Sequence, residues 1–179
     1  SATYVNAYAF PGGSIACTRG ILLALDNEAE LGALLGHELG HVNARHTAER
    51  MSKGVLLQAA AAGLGVAVSA GTGDETLAGL AMGLGSIGAG ALLAKYSRDD
   101  ERQADALGME YMVRTDYNAK GMVGLMDLLK SISKQKPSAI ELMFATHPMS
   151  EERYQTAVKT ATTKYHSSND FSVHRERYM

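Results

Sequence analysis

The chain has 179 residues, a net charge of −2 and 20% charged residues. That length suits one domain over 1–179, and the charge balance implies no nucleic-acid partner. A single cysteine, Cys17, excludes an internal disulfide and says little about the compartment. With 6% aromatic residues and no Trp, the apolar surface is mostly Ala, Leu, Met and Gly, as in a helical protein with close helix contacts. No signal peptide or initiator Met is visible at Ser1, so the chain reads as a processed or trimmed form, with a leader or a C-terminal module left open.

In chain order, Tyr4, Val5, Tyr8 and Phe10 predict a short strand, ended by Pro11-Gly12-Gly13 and paired with Ile15-Ala16-Cys17-Thr18 as a hairpin. An exposed edge there could align an extended peptide through backbone hydrogen bonds. The alternative is a small sheet that merely covers the next helix.

That helix is predicted over 27–53. Asn27 and Glu30 have the spacing of a capping box. Leu31, Leu34, Leu35, Leu39 and Val42 then recur at helical spacing. Inside it, residues 37–41 read His-Glu-Leu-Gly-His. At about 100° per residue, His37 and His41 fall within roughly 40° of one face, one turn apart, as two ligands on one tetrahedral ion require. Glu38, beside the first imidazole, is placed to take a proton from a metal-activated water. Gly36 and Gly40 flank the motif at a cost of about 1 kcal/mol each in helix propensity. That cost points to close packing or to room for a substrate. His46 lies ~140° round a continuous helix from His41 and faces away, so it reads as a capping or packing residue.

Residues 54–71 and 77–94 are uncharged and rich in Ala and Gly, and Thr72-Gly73-Asp74-Glu75-Thr76 joins them. Each is near the ~18-residue lower limit of a membrane span. Gln58 and the scarcity of Leu, Ile and Phe favour a helical hairpin packed through small residues, lying against a membrane or covering the site as a lid.

A two-His zinc site needs a third protein ligand. Glu101 is the natural one, in the polar segment Ser97-Arg98-Asp99-Asp100-Glu101-Arg102-Gln103-Ala104-Asp105 that leads into a helix through Ala106, Leu107, Met109 and Met112. Asp105, at i+4, shares its face and can accept the far N–H of a ligating imidazole. Further on, His147 precedes Pro148 and so sits in extended backbone or a turn. Ser150 caps a helix predicted over about 150–165, with Glu151 and Glu152 in its first turn. The tail 166–179 lacks periodicity and reads as loop, strand or linker.

The His-Glu-Leu-Gly-His motif, together with Ser97-Arg98, Glu101 and Ala104-Asp105, resembles the gluzincin peptidases of family M48. That family includes HtpX-type heat-shock proteases, CAAX prenyl endopeptidases and soluble bacterial periplasmic relatives. Three further segments carry the resemblance: Asn6-Ala7 through Pro11-Gly12-Gly13, Thr18-Arg19-Gly20-Ile21-Leu22, and His147-Pro148 followed by Arg153. It implies an α+β, mainly α, zincin-like domain with a small N-terminal hairpin beside the motif helix. It implies one Zn2+ per chain on His37, His41 and Glu101, with Glu38 as general base and Asp105 as the ligand's outer partner.

By the same resemblance His147 is a catalytic residue, either donating to the oxyanion or occupying the open zinc position in a closed form. Arg153, Asn6 and Ala7 either meet the substrate or fix their loops. The implied activity is that of a zinc metalloendopeptidase acting on unfolded or misassembled proteins, in the bacterial periplasm or membrane-associated envelope, with membrane-surface contact and oligomeric state open. CAAX processing fits less well, since that branch carries more spans than this chain could hold. Two other readings stand beside it: a latent zinc-bearing, chaperone-like module with little turnover, and an integral membrane protease with 54–94 as two spans.

Overall fold

The computed structural model describes residues 4–56 and 95–178. These residues are mainly helical, with one small antiparallel sheet. Strands β1 (Ala7–Ala9) and β2 (Ile15–Cys17) pair Ala7 with Cys17, Tyr8 with Ala16 and Ala9 with Ile15. Gly12 and Gly13, both at φ 96°, make the turn in a conformation that only glycine adopts freely. The strand's inward face is Ala7 and Ala9 rather than the tyrosines that suggested it, because small residues let β1 lie close to the motif helix.

Thr18 caps α1 (Arg19–Ala24). Asn27 caps α2 (Glu28–Asn43), its side chain accepting from the Glu30 N–H at 3.0 Å. The return half of that box differs from the expected one. Glu30 accepts from the Asp26 backbone at 2.9 Å and from the Asn27 amide at 3.0 Å, so it secures the preceding turn rather than the cap residue's own N–H.

The predicted 27–53 helix is broken. α2 ends at Asn43, Arg45 takes φ 61°, and helix α3 resumes over 46–56. Beyond residue 56, the hairpin expected over 54–94 lies outside the described residues. Among the described residues, no helix is long and apolar enough to cross a membrane.

Helix α4 (Arg98–Arg114) opens with a reciprocal capping box between Ser97 and Asp100. It starts at Arg98, within the polar segment, so Glu101 already lies in its first turn. Its buried stripe is Glu101, Ala104, Asp105, Gly108, Met109 and Met112, and it packs on α2 almost backbone to backbone. A Cβ on Gly40 would lie 2.8 Å from the Ala104 carbonyl oxygen, and one on Gly108 would lie 2.9 Å from the His37 nitrogen. Of the two readings of the motif glycines, this contact is close packing. It brings the turns of α2 and α4 that carry His37, His41 and Glu101 face to face.

Helix α5 (Lys120–Gln135) buries Met122, Leu125, Met126 and Leu129 at helical spacing against α2. α6 (Pro137–Thr146) begins with proline at its first position, where no intrahelical N–H bond is lost. α7 (Glu151–Thr162) is capped by Ser150 as expected and ends three residues earlier than the predicted 165. The tail is more ordered than its sequence suggests. It forms a 3-10 turn (His166–Asp170) and a short helix α8 (Arg175–Tyr178). Asn118 donates to the Asn169 and Phe171 carbonyls, and the Ala29 N–H donates to the Val173 carbonyl at 3.2 Å.

Candidate metal centre

Helix α2 supplies His37, Glu38 and His41, α4 supplies Glu101, and the end of α6 supplies His147. Each is at most 5% exposed. One ligand atom from each of His37, His41, Glu101 and His147 lies within 4.8 Å of the others.

The spacing within this group is that of a coordination shell. The His37 and His41 Nε2 atoms are 3.1 Å apart, and His41 Nε2 is 3.3 Å from Glu101 Oε1. His147 Nδ1 lies 3.3 Å from His37 Nε2 and 3.1 Å from Glu101 Oε1. Ligands at ~2.05 Å from a tetrahedral zinc stand about 3.3 Å from one another. Unprotonated nitrogen lone pairs converging at that distance in a buried site repel unless a cation or a proton stands between them. The donor set therefore fits a metal.

The outer surroundings set ring orientation and charge. His37 Nδ1 bonds Asp105 Oδ1 at 2.9 Å. Arg153 grips the same carboxylate through Nε and Nη2, each at 2.7 Å. Its Nη1 reaches Glu101 Oε2 at 2.5 Å and the Pro148 carbonyl at 2.9 Å. Burial works to lower the His37 pKa, but the Asp105 hydrogen bond and the Glu101 charge raise it above the usual range. Burial would raise Asp105, yet the bonds from His37 and Arg153 hold it below the ordinary carboxylate range. Glu101, likewise buried, is held low by its contacts with His147 and His41.

His41 differs, its pKa pushed down to about 2, chiefly by burial and against the pull of Glu101. A neutral imidazole is the form that ligates. Tyr96 stacks on it with ring centroids 3.7 Å apart, and its hydroxyl pairs with Thr47 at 2.7 Å.

Glu38 is fully buried, and neither carboxylate oxygen has a hydrogen-bond partner among the described residues. His147 Nε2 lies 3.8 Å from its Oε1. Asn6 is fully buried, its Oδ1 accepting from the Ala7 N–H and its own N–H donating to Thr18 Oγ1, both at 3.0 Å.

His46 is a correction. It is buried, and its Nδ1 lies 3.0 Å from His41 Nδ1, because the break at Arg45 turns it back toward the site. Tyr96 and Thr47 were missed by sequence reasoning. Only their proximity in the fold reveals them, since neither belongs to a spaced motif.

These features form a buried cluster of three histidines and one carboxylate that could hold a metal ion. The model of Peptidase family M48 matches residues 1–161, and the chain belongs to that family. It is 34% identical to metalloprotease YcaL of Escherichia coli K12, over 84% of this chain and 56% of that protein. It is 26% identical to the E. coli K12 beta-barrel assembly-enhancing protease, over 98% of this chain and 37% of that protein. It is 27% identical to mitochondrial metalloendopeptidase OMA1 of Saccharomyces cerevisiae, over 86% of this chain and 43% of that protein. The chain thus spans about half the length, or less, of these relatives.

Proposed function

We propose that this domain is a zinc metalloendopeptidase, with zinc held by His37, His41 and Glu101 and with Glu38 as general base. The observation that carries the reading is the buried Glu38 carboxylate, free of hydrogen-bond partners among the described residues, beside converging imidazole nitrogens. An unpaired buried carboxylate costs several kcal/mol, a cost that chemistry accounts for and packing does not. Zinc, when bound, lowers the pKa of a water to about 7 and polarises a carbonyl.

Glu38 takes the proton of the attacking water and later delivers it to the leaving amine. The Asp105–Arg153 pair holds the His37 ring in place, and the dry surroundings strengthen each of these contacts. We infer that an extended substrate aligns along the outer edge of β1 through the backbone groups that Asn6 and Thr47 leave open, with little sequence preference. Asn6, with its local bonds to Ala7 and Thr18, shapes the start of that edge.

Glu38→Gln should retain zinc and lose hydrolysis of unfolded casein by about 10²- to 10⁴-fold, whereas His37→Ala should lose both. Casein cleavage by Glu38→Gln at the wild-type rate would sink the mechanism.

A second reading concerns His147. Its Nδ1 stands at coordination-shell distances from His37 and Glu101, which supports a closed form with His147 in the fourth position. His147→Ala then raises turnover. A fall of about 10²- to 10³-fold would instead assign His147 to the oxyanion.

The relatives' names include a beta-barrel assembly-enhancing protease. With that as support, we infer misassembled envelope proteins as substrates and the bacterial periplasm or envelope as the location.

A further inference from the structure

In a continuous helix His46 would face away from His41. The chain instead breaks at Ala44 and Arg45, where Arg45 adopts φ 61° and its N–H bonds the Val42 carbonyl at 3.0 Å. His46 is thereby swung back beneath the motif, its Nδ1 3.0 Å from His41 Nδ1. On its other side, His46 Nε2 lies 3.0 Å from Gln103 Oε1 and 3.6 Å from Asp100 Oδ1.

We propose that Gln103 and His46 form a positioning relay that fixes His41 in the tautomer able to bind metal; it rests on the zinc-site reading above. The carbonyl oxygen of Gln103 and the carboxylate of Asp100 only accept, so the proton of a neutral His46 belongs on Nε2. Its Nδ1 is then an acceptor. His41 Nδ1 must be the donor, which leaves the lone pair of His41 on Nε2. That atom faces His37 Nε2 at 3.1 Å and Glu101 Oε1 at 3.3 Å.

The opposite arrangement fails the site. A proton on His46 Nδ1 would make His41 Nδ1 the acceptor and put the His41 proton on Nε2, closed to metal. Tyr96, stacked 3.7 Å from the His41 ring at an interplanar angle of 26°, opposes the ring flip that would put carbon in place of each nitrogen. His46 and Gln103 touch neither metal nor substrate, so both are positioning residues.

The test uses the full chain. Nitrogen–proton correlation spectra of the metal-free protein should show His46 protonated at Nε2 and His41 at Nδ1. Zinc affinity, measured by chelator competition, should fall roughly 10- to 100-fold in Gln103→Leu and in His46→Phe. The double variant should bind no worse than His46→Phe alone, because both remove one chain of interactions. Gln103→Glu, which keeps an acceptor, should retain affinity. Gln103 is exposed, so its variants carry the test if His46→Phe does not fold.

Wild-type affinity in folded Gln103→Leu, or His46 protonated at Nδ1, would overturn the relay and leave the zinc site standing. If the wild-type chain bound no zinc, the zinc-site reading would fail instead. The tautomers, read without metal, decide the relay either way.

Discussion

His37 and His41 turn the same atom, Nε2, toward the cluster, yet their outer nitrogens meet opposite surroundings. Behind His37 is a charged brace: Asp105, gripped through two bonds of 2.7 Å by buried Arg153. Behind His41 are a second imidazole, an amide and a stacked phenol. A doubly charged brace tunes basicity strongly, but removing one partner strands a buried charge. A chain through an imidazole and an amide sets direction, and truncating the amide strands no charge. The two sides therefore differ in what they cost when broken, and unfolding of the metal-free protein reads that difference directly.

Asp105→Ala has the largest expected effect. It leaves Arg153 with Glu101 as its one charged partner among the described residues and should cost about 3 kcal/mol of stability, measured by urea unfolding. A loss under about 1 kcal/mol would mean that the brace is not charged in the way described.

Gly40→Ala acts on both sides at once. Its Cβ would meet the Ala104 carbonyl oxygen at 2.8 Å, pushing α2 from α4. Stability should drop by about 2 kcal/mol and zinc affinity should fall with it, as calorimetry would show.

Ser97→Ala removes the cap of the turn carrying Glu101, at a cost of about 1 kcal/mol. Thermal melts should resolve that step.

Gln103→Leu, on the His41 side, should change stability by less than about 0.5 kcal/mol while still weakening zinc binding. If it destabilised the chain as much as Asp105→Ala, the contrast between the two sides would collapse.

Much of the site was legible because a helix turns spacing into direction. The i,i+4 spacing of His37 and His41, and that of Glu101 and Asp105, sets which side chains share a face before any fold is known. The same rule misled at His46, since it presumes a continuous helix. Arg45 breaks that continuity with a left-handed conformation that arginine does not advertise. The motif glycines announced something unusual, but only the facing Ala104 and Gly108 showed it to be contact between backbones. Tail order was unreadable for a related reason. It comes from backbone carbonyls of 169, 171 and 173 bonding to Asn118 and Ala29, and no side-chain periodicity records such bonds.

The α2–α4 contact bears on how loss-of-function surveys of this domain should be read. At positions 36, 40 and 108 any added carbon meets backbone at 3.2 Å or less, so these glycines should tolerate replacement about as poorly as the proposed ligands. A saturation scan scored on activity alone would rank them with His37, Glu38 and His41. On the proposed zinc-site reading, metal content should separate the groups in one respect: Glu38 variants should stay loaded and inert, whereas glycine variants should lose the ion and the helix pairing together.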